Sequence, residues 1–99
     1  MDLATTVPVH GSETASRVID GEATVVLPSE NMVHILSAVG TRIWELADGR
    51  HSLADIVDAL CDEFEVQQEQ AEQDVRAFVD ELAGKGMLEL KAAARSQGA

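Results

Sequence analysis

Between residues 17 and 36 apolar and polar positions change over every one or two residues; after Leu36 the spacing lengthens to a helical period. That change divides the foldable part of the chain into strands first and helices second. RVIDGEATVVL holds two β-rich runs around Asp20-Gly21. Asp-Gly between apolar residues predicts a tight hairpin, since both turn residues tolerate positive φ, and this places strands near 17–20 and 22–27. MVHILS then follows PSEN. Pro28 stops the second strand, Asn31 suits a left-handed turn position, and a third strand begins at Met32, giving a three-stranded antiparallel meander. Along this strand Met32, His34 and Leu36 share one face, and Val33 and Ile35 the other.

Ser37 caps the first expected helix, whose apolar stripe is Val39, Ile43, Leu46 and Ala47 with Trp44 at its border, and Asp48-Gly49 ends it. The second opens at Ser52, with Asp55 placed to complete a capping box, and carries Leu53, Ile56, Val57, Leu60, Cys61 and Phe64 on one face. A third helix over 68–84 repeats the pattern with Ala71, Val75, Phe78, Val79 and Leu82 and stops at GKG. Met87-Leu88-Glu89-Leu90 reads either as a short last strand or as a cover on the core. The fold class is α+β: a three-stranded antiparallel sheet followed by three helices, winged-helix-like, with the sheet at the front and almost no wing after the third helix.

The polar ends bound this unit. Residues 1–16 and 91–99 read as flexible segments around one domain over 17–90, which suits a chain of 99 residues. No apolar run is long enough to span a bilayer, and no basic start followed by an apolar stretch marks a signal peptide. With a single Cys there is no internal disulfide, so a cytoplasmic location is the expectation. Net charge is −11, and 13 of the 18 acids lie between residues 37 and 90 against four bases. Such a surface repels phosphates, which argues against nucleic acid and anionic membrane as partners.

Candidate chemistry is sparse. His10, His34 and His51 fall in the N-terminal segment, a strand and a loop, with no second ligand at a metal-binding spacing. Cys61 belongs to the apolar stripe of its helix, where a thiol is a small hydrophobe. Glu63 and Glu65, or Asp80 and Glu81, are neighbours along a helix and do not face each other as an acid–base pair would. The glycines punctuate helices and build no phosphate loop, so no catalytic residue, metal or cofactor is expected. One binding feature remains. The third strand lies at the edge of the meander, and Met32 to Leu36 include no Lys, Pro or Asp to discourage pairing. An extended peptide can add there, beside an apolar groove against the third helix; the chain's own tail or a second copy can also cover it.

SRVIDGEATVVL, HILSAVGTRIWELADGRHSLADIVDAL and QAEQDVRAFVDELAGKGML together resemble the PqqD family, the pyrroloquinoline quinone synthesis protein D group and its stand-alone relatives. The match runs from residue 17 to 88. The resemblance implies a non-catalytic adaptor that holds the leader segment of a ribosomally made precursor peptide and presents it to a modifying enzyme such as a radical SAM protein. It also implies that the leader adds as a strand at Met32, Val33, His34, Ile35 and Leu36, in a groove shared with Asp74, Val75, Phe78 and Val79 of the third helix. Ser37 stands where members often carry Asn, and Ser29-Glu30-Asn31 where they carry a Gly-containing turn; both exchanges keep the local chemistry. Gln67-Gln68 replaces an Asp-Pro and removes a good helix cap. The second hairpin of the quinone pathway is missing, which leaves quinone, lasso-type and other modified peptides open. The expected state is a monomer or a weak homodimer. The alternative reading is a winged-helix DNA-binding or general protein-interaction module, and the acidity of residues 67–85 opposes the first of these.

Overall fold

The computed structural model describes residues 2–92. In chain order the elements are β1 (Thr6–His10), β2 (Ala15–Ile19), β3 (Glu22–Leu27), a 3₁₀ turn (Pro28–Glu30), β4 (Met32–Ile35), α1 (Ala38–Leu46), α2 (Leu53–Phe64), α3 (Gln68–Gly84) and β5 (Leu88–Ala92). They form a three-stranded antiparallel sheet in the order β2-β3-β4, three helices, and a second sheet in which β1 pairs antiparallel with β5. The meander and the three helices therefore stand as the periodicity predicts. Asp20 and Gly21 both take positive φ at the hairpin, and Asn31 occupies the left-handed position before β4.

The N-terminal segment departs from expectation. Residues 1–16 were expected to be a flexible segment outside the domain, yet Thr6–His10 is a strand whose Pro8 is fully buried, and β2 begins at Ala15. His10 pairs with Leu88, and Thr6 with Ala92. On its other side the Pro8 carbonyl accepts from the Gly49 N–H at 3.0 Å. A five-residue strand interrupted by Pro, with its partner at the far end of the chain, leaves no local periodic signal. The same pairing carries β5 through Lys91 and Ala92, residues assigned to the C-terminal tail; the remainder of that tail, 93–99, lies outside the described residues. Gly11 follows β1 where the backbones nearly touch: a Cβ there would come within 2.5 Å of the Gly86 carbonyl oxygen, so only glycine fits.

Trp44 connects these parts. It is 2 % exposed, and so lies inside the core and not at its border. Its indole Nε1 donates to Ser16 Oγ of β2 at 3.1 Å, and the His10 ring stacks on it at 3.7 Å between centroids, 9° from parallel. His10 Nε2 lies 2.7 Å from the Trp44 carbonyl, an acceptor only, so that nitrogen carries the proton. Burial of Ala23, Val25 and Leu27 from β3, with Ile43, Leu53, Ile56, Leu60, Ala71, Val75, Val79, Leu82 and Met87, forms the single core between sheet and helices. Cys61 and Phe64 are half-buried at its margin.

Capping follows the sequence closely. Ser37 accepts from the Gly40 N–H, and Ser52 and Asp55 make a complete capping box. Gln67 gives α3 no side-chain cap. Ser52→Ala is expected to destabilise by about 1 kcal/mol and Gln67→Ser to stabilise by about 0.5–1 kcal/mol. Urea unfolding of the two variants beside the parent checks both signs.

Candidate functional site

β4 is an edge strand, paired with β3 on one side only. Its register with β3 sets Leu27 opposite Met32, Val26 opposite Val33, Val25 opposite His34 and Thr24 opposite Ile35. The Leu36 N–H donates to the Ala23 carbonyl at 2.8 Å. Main-chain groups along a strand point alternately to either side, so those of Met32, His34 and Leu36 face β3 while the N–H and C=O of Val33 and Ile35 face outward. Neither chain end covers them among the described residues, because β1 and β5 are committed to each other.

The helices hold this edge in place. Where the chain leaves β4, the Ala23 N–H turns to Thr41 Oγ1 of α1 at 2.8 Å, a buried bond that joins helix to sheet. At Gly40 a Cβ would lie 3.1 Å from Phe78 Cε1 and 3.5 Å from Leu36 Cβ. Its absence lets α1, α3 and the end of β4 meet. A cleft of about 290 Å³ opens there, lined by Ser37, Val39, Gly40, Ile43, Asp74, Ala77 and Phe78. At the Met32 end of the strand a second cleft of about 540 Å³ runs between the Leu27–Met32 turn, the 12–13 loop and the end of α3.

Between the clefts α3 reaches across to β4. Lys85 Nζ donates to Glu81 Oε2 at 3.0 Å and lies 3.5 Å from His34 Nδ1, and His34 Nε2 lies 3.9 Å from the same carboxylate. The hydrogen bond from Lys85, with its charge, holds the Glu81 carboxyl below its ordinary value, against partial desolvation and with a smaller contribution from His34. The groove thus has an apolar pocket at one end, a charged bridge in the middle and a larger cleft at the other end.

The residues singled out from sequence divide into three sets. Met32 lines the larger cleft, His34 joins the bridge, and Asp74 and Phe78 line the smaller cleft. Val33 and Ile35 are 64 % and 69 % exposed on the opposite face of the strand, where they contribute main chain to the edge. Leu36, Val75 and Val79 are buried and back the groove. Val39, Ala77, Glu81 and Lys85 join the groove in addition to the residues expected from the sequence. Residues 74, 78, 81 and 85 follow the helical i, i+4, i+7, i+11 spacing, so the last two were recoverable as an extension of the same face. Among the described residues no group of His, Cys, Asp and Glu is placed to hold a metal ion, and no helix is long and apolar enough to cross a membrane.

Residues 23–88 match the model of the family described as coenzyme PQQ synthesis protein D. Among solved structures, TbiB1 in complex with the TbiA(beta) leader peptide is similar at a TM-score of 0.76 and 34% identity, over 82% of this chain and 94% of that one. The lasso peptide synthetase B1 complexed with the leader peptide superposes with a TM-score of 0.75 at 24% identity, over 83% and 96% of the two chains. No curated protein matches.

Two variants probe the groove itself. Gly40→Ala should be near neutral, because a gain of about 1 kcal/mol in helix propensity offsets the small displacement of the Phe78 ring, whereas Phe78→Ala should cost about 1–3 kcal/mol. Equilibrium unfolding compares them, and a large loss at Gly40→Ala would show that the ring cannot yield. Glu81 adds a pH dependence. A carboxyl lowered by folding contributes stability above its unfolded pKa and loses it as pH falls through the folded one. Glu81→Gln should therefore be slightly less stable than the parent at pH 7, by less than about 1 kcal/mol for so exposed a pair, and the difference should shrink as the carboxylate is protonated at acid pH, read from the same unfolding curves.

Proposed function

The chain belongs to the family of coenzyme PQQ synthesis protein D, PqqD, and from that premise we propose that it is a non-catalytic adaptor for a ribosomally made precursor peptide. It captures the leader segment as a fourth strand on β4 and presents the rest of the peptide to a modifying enzyme. The observation that carries this reading is the outward pair Val33 and Ile35, whose main-chain donors and acceptors line an uncovered edge beside the groove of α3. Strand addition satisfies these groups, and side-chain pockets on the inner face supply selectivity. In this arrangement Met32, His34, Asp74 and Phe78 meet the peptide's side chains, while Leu36, Val75 and Val79 keep the wall rigid from within the core. The similarity to TbiB1, solved in complex with a leader peptide, supports a leader peptide as the ligand.

The adaptor works in the cytoplasm, where ribosomal peptides are made, and its client enzyme is a peptide-modifying one of radical SAM or another class. The precursor is of the quinone, lasso or another modified type. It acts as a monomer when loaded, because a second copy pairing through β4 would occupy the same hydrogen-bonding groups.

Isotope-labelled protein titrated with the leader peptide encoded beside its gene should show its first amide shifts along β4 and at the Phe78 to Lys85 face of α3. Val33→Pro removes one outward N–H without breaking the β3–β4 ladder, and should weaken binding roughly 5- to 30-fold, the equivalent of about 1–2 kcal/mol. Unperturbed β4 amides at high peptide concentration would refute strand capture.

A further inference from the structure

The larger cleft, at the Met32 end of β4, is not explained by an apolar leader alone. Its floor is Leu27 and Met32, and its rim carries Glu13, Glu30 and Glu89 with Lys85. The Lys85 ammonium is already held by Glu81. Glu89 Oε2 accepts only from the Ser12 N–H, at 3.3 Å, and Glu13 and Glu30 have no cationic partner among the described residues. The cleft, about 540 Å³ in volume, therefore sets apolar Leu27 and Met32 under an excess of carboxylates, and Met32 ties it to the start of β4. A long side chain with an apolar stem and a cationic head matches that composition, the stem on Leu27 and Met32 and the head among the carboxylates.

Strand geometry adds a spacing. Met32 lines one cleft and Ser37, just beyond the end of β4, lines the other, so a strand added along the edge passes both, about 17 Å apart at the rise of an extended strand. We infer that the peptide captured at β4 carries an Arg or Lys a few residues from a bulky apolar residue, the apolar one in the Phe78 pocket and the basic one among the carboxylates of the larger cleft. This rests on the strand-capture reading and specifies its substrate class. A precursor with this pair is favoured at long range as well, since the chain's charge of −11 draws in a basic segment.

The test is selection from a phage-displayed library of random 14-residue peptides against the immobilised full chain, run in parallel on the parent and on a Glu13→Gln/Glu30→Gln double variant. Both substitutions are on exposed side chains, and circular dichroism confirms that the variant is folded. Binders of the parent whose affinity falls with Val33→Pro should be enriched in Arg or Lys within about six positions of a Leu, Met or aromatic residue. The double variant should lose that enrichment, and replacing the basic residue of one selected peptide by norleucine should weaken its binding to the parent roughly three- to tenfold. Binders that depend on Val33 but show no basic preference, or keep it with the double variant, overturn this inference and leave strand capture standing. Failure to select any Val33-dependent binder overturns both.

Discussion

The buried indole of Trp44 holds together segments that would otherwise have no reason to meet. It sits on α1, a nine-residue helix too short to persist alone, and it is contacted by His10 at the end of β1 and by Ser16 at the start of β2. The stacked imidazole excludes water from one face of the ring, and the Ser16 hydroxyl satisfies the only polar atom of the side chain. His10 also returns a hydrogen bond to the Trp44 carbonyl, near the C-terminal end of α1. One side chain thus fixes the N-terminal strand, the sheet and the first helix relative to one another, and β5 joins through its pairing with β1.

The consequence appears at the opposite side of the sheet. With β1 and β5 paired to each other, neither extends β2-β3-β4, and among the described residues β4 has one side bonded to β3 and the other open. Thr41 completes the arrangement by taking the Ala23 N–H at the point where β4 departs, so this inner donor is satisfied while the main-chain groups of Val33 and Ile35 stay directed outward. Gly40 then allows Phe78 to approach, which sets the depth of the groove. Binding capacity here is a product of what the core withholds from the edge, together with an absence of bulk where two helices and a strand converge.

Much of this was legible from local pattern. Asp20-Gly21 gave the hairpin, Asn31 the turn into β4, Ser37 and the Ser52–Asp55 pair the helix starts, and the apolar stripes of α2 and α3 their buried faces. Each depends on residues within four positions of one another, and local sterics and hydrogen bonding decide them. The candidate site was legible in part. The alternation of Met32, His34 and Leu36 against Val33 and Ile35 predicted two faces, yet membership of the groove did not follow from being apolar: Val75 and Val79 proved to be core while Asp74 and Phe78 stand in the wall. Which members of a helical stripe reach the surface depends on how the neighbouring strand lies across it, a distance no periodicity encodes.

By itself, then, the sequence determined the order and type of the central elements, their caps, and the strand with no edge-blocking residues, because those follow from torsional preference and amphipathic period. Tertiary structure alone decided that Thr6–His10 is a strand, that His10 belongs to the Trp44 cluster, and that Lys85, Glu81 and His34 meet in the groove. These contacts join residues 34 to 86 positions apart or depend on the relative placement of α3 and β4. Such placement is set by the packing of the whole core, which has to form before any of those pairs comes within reach.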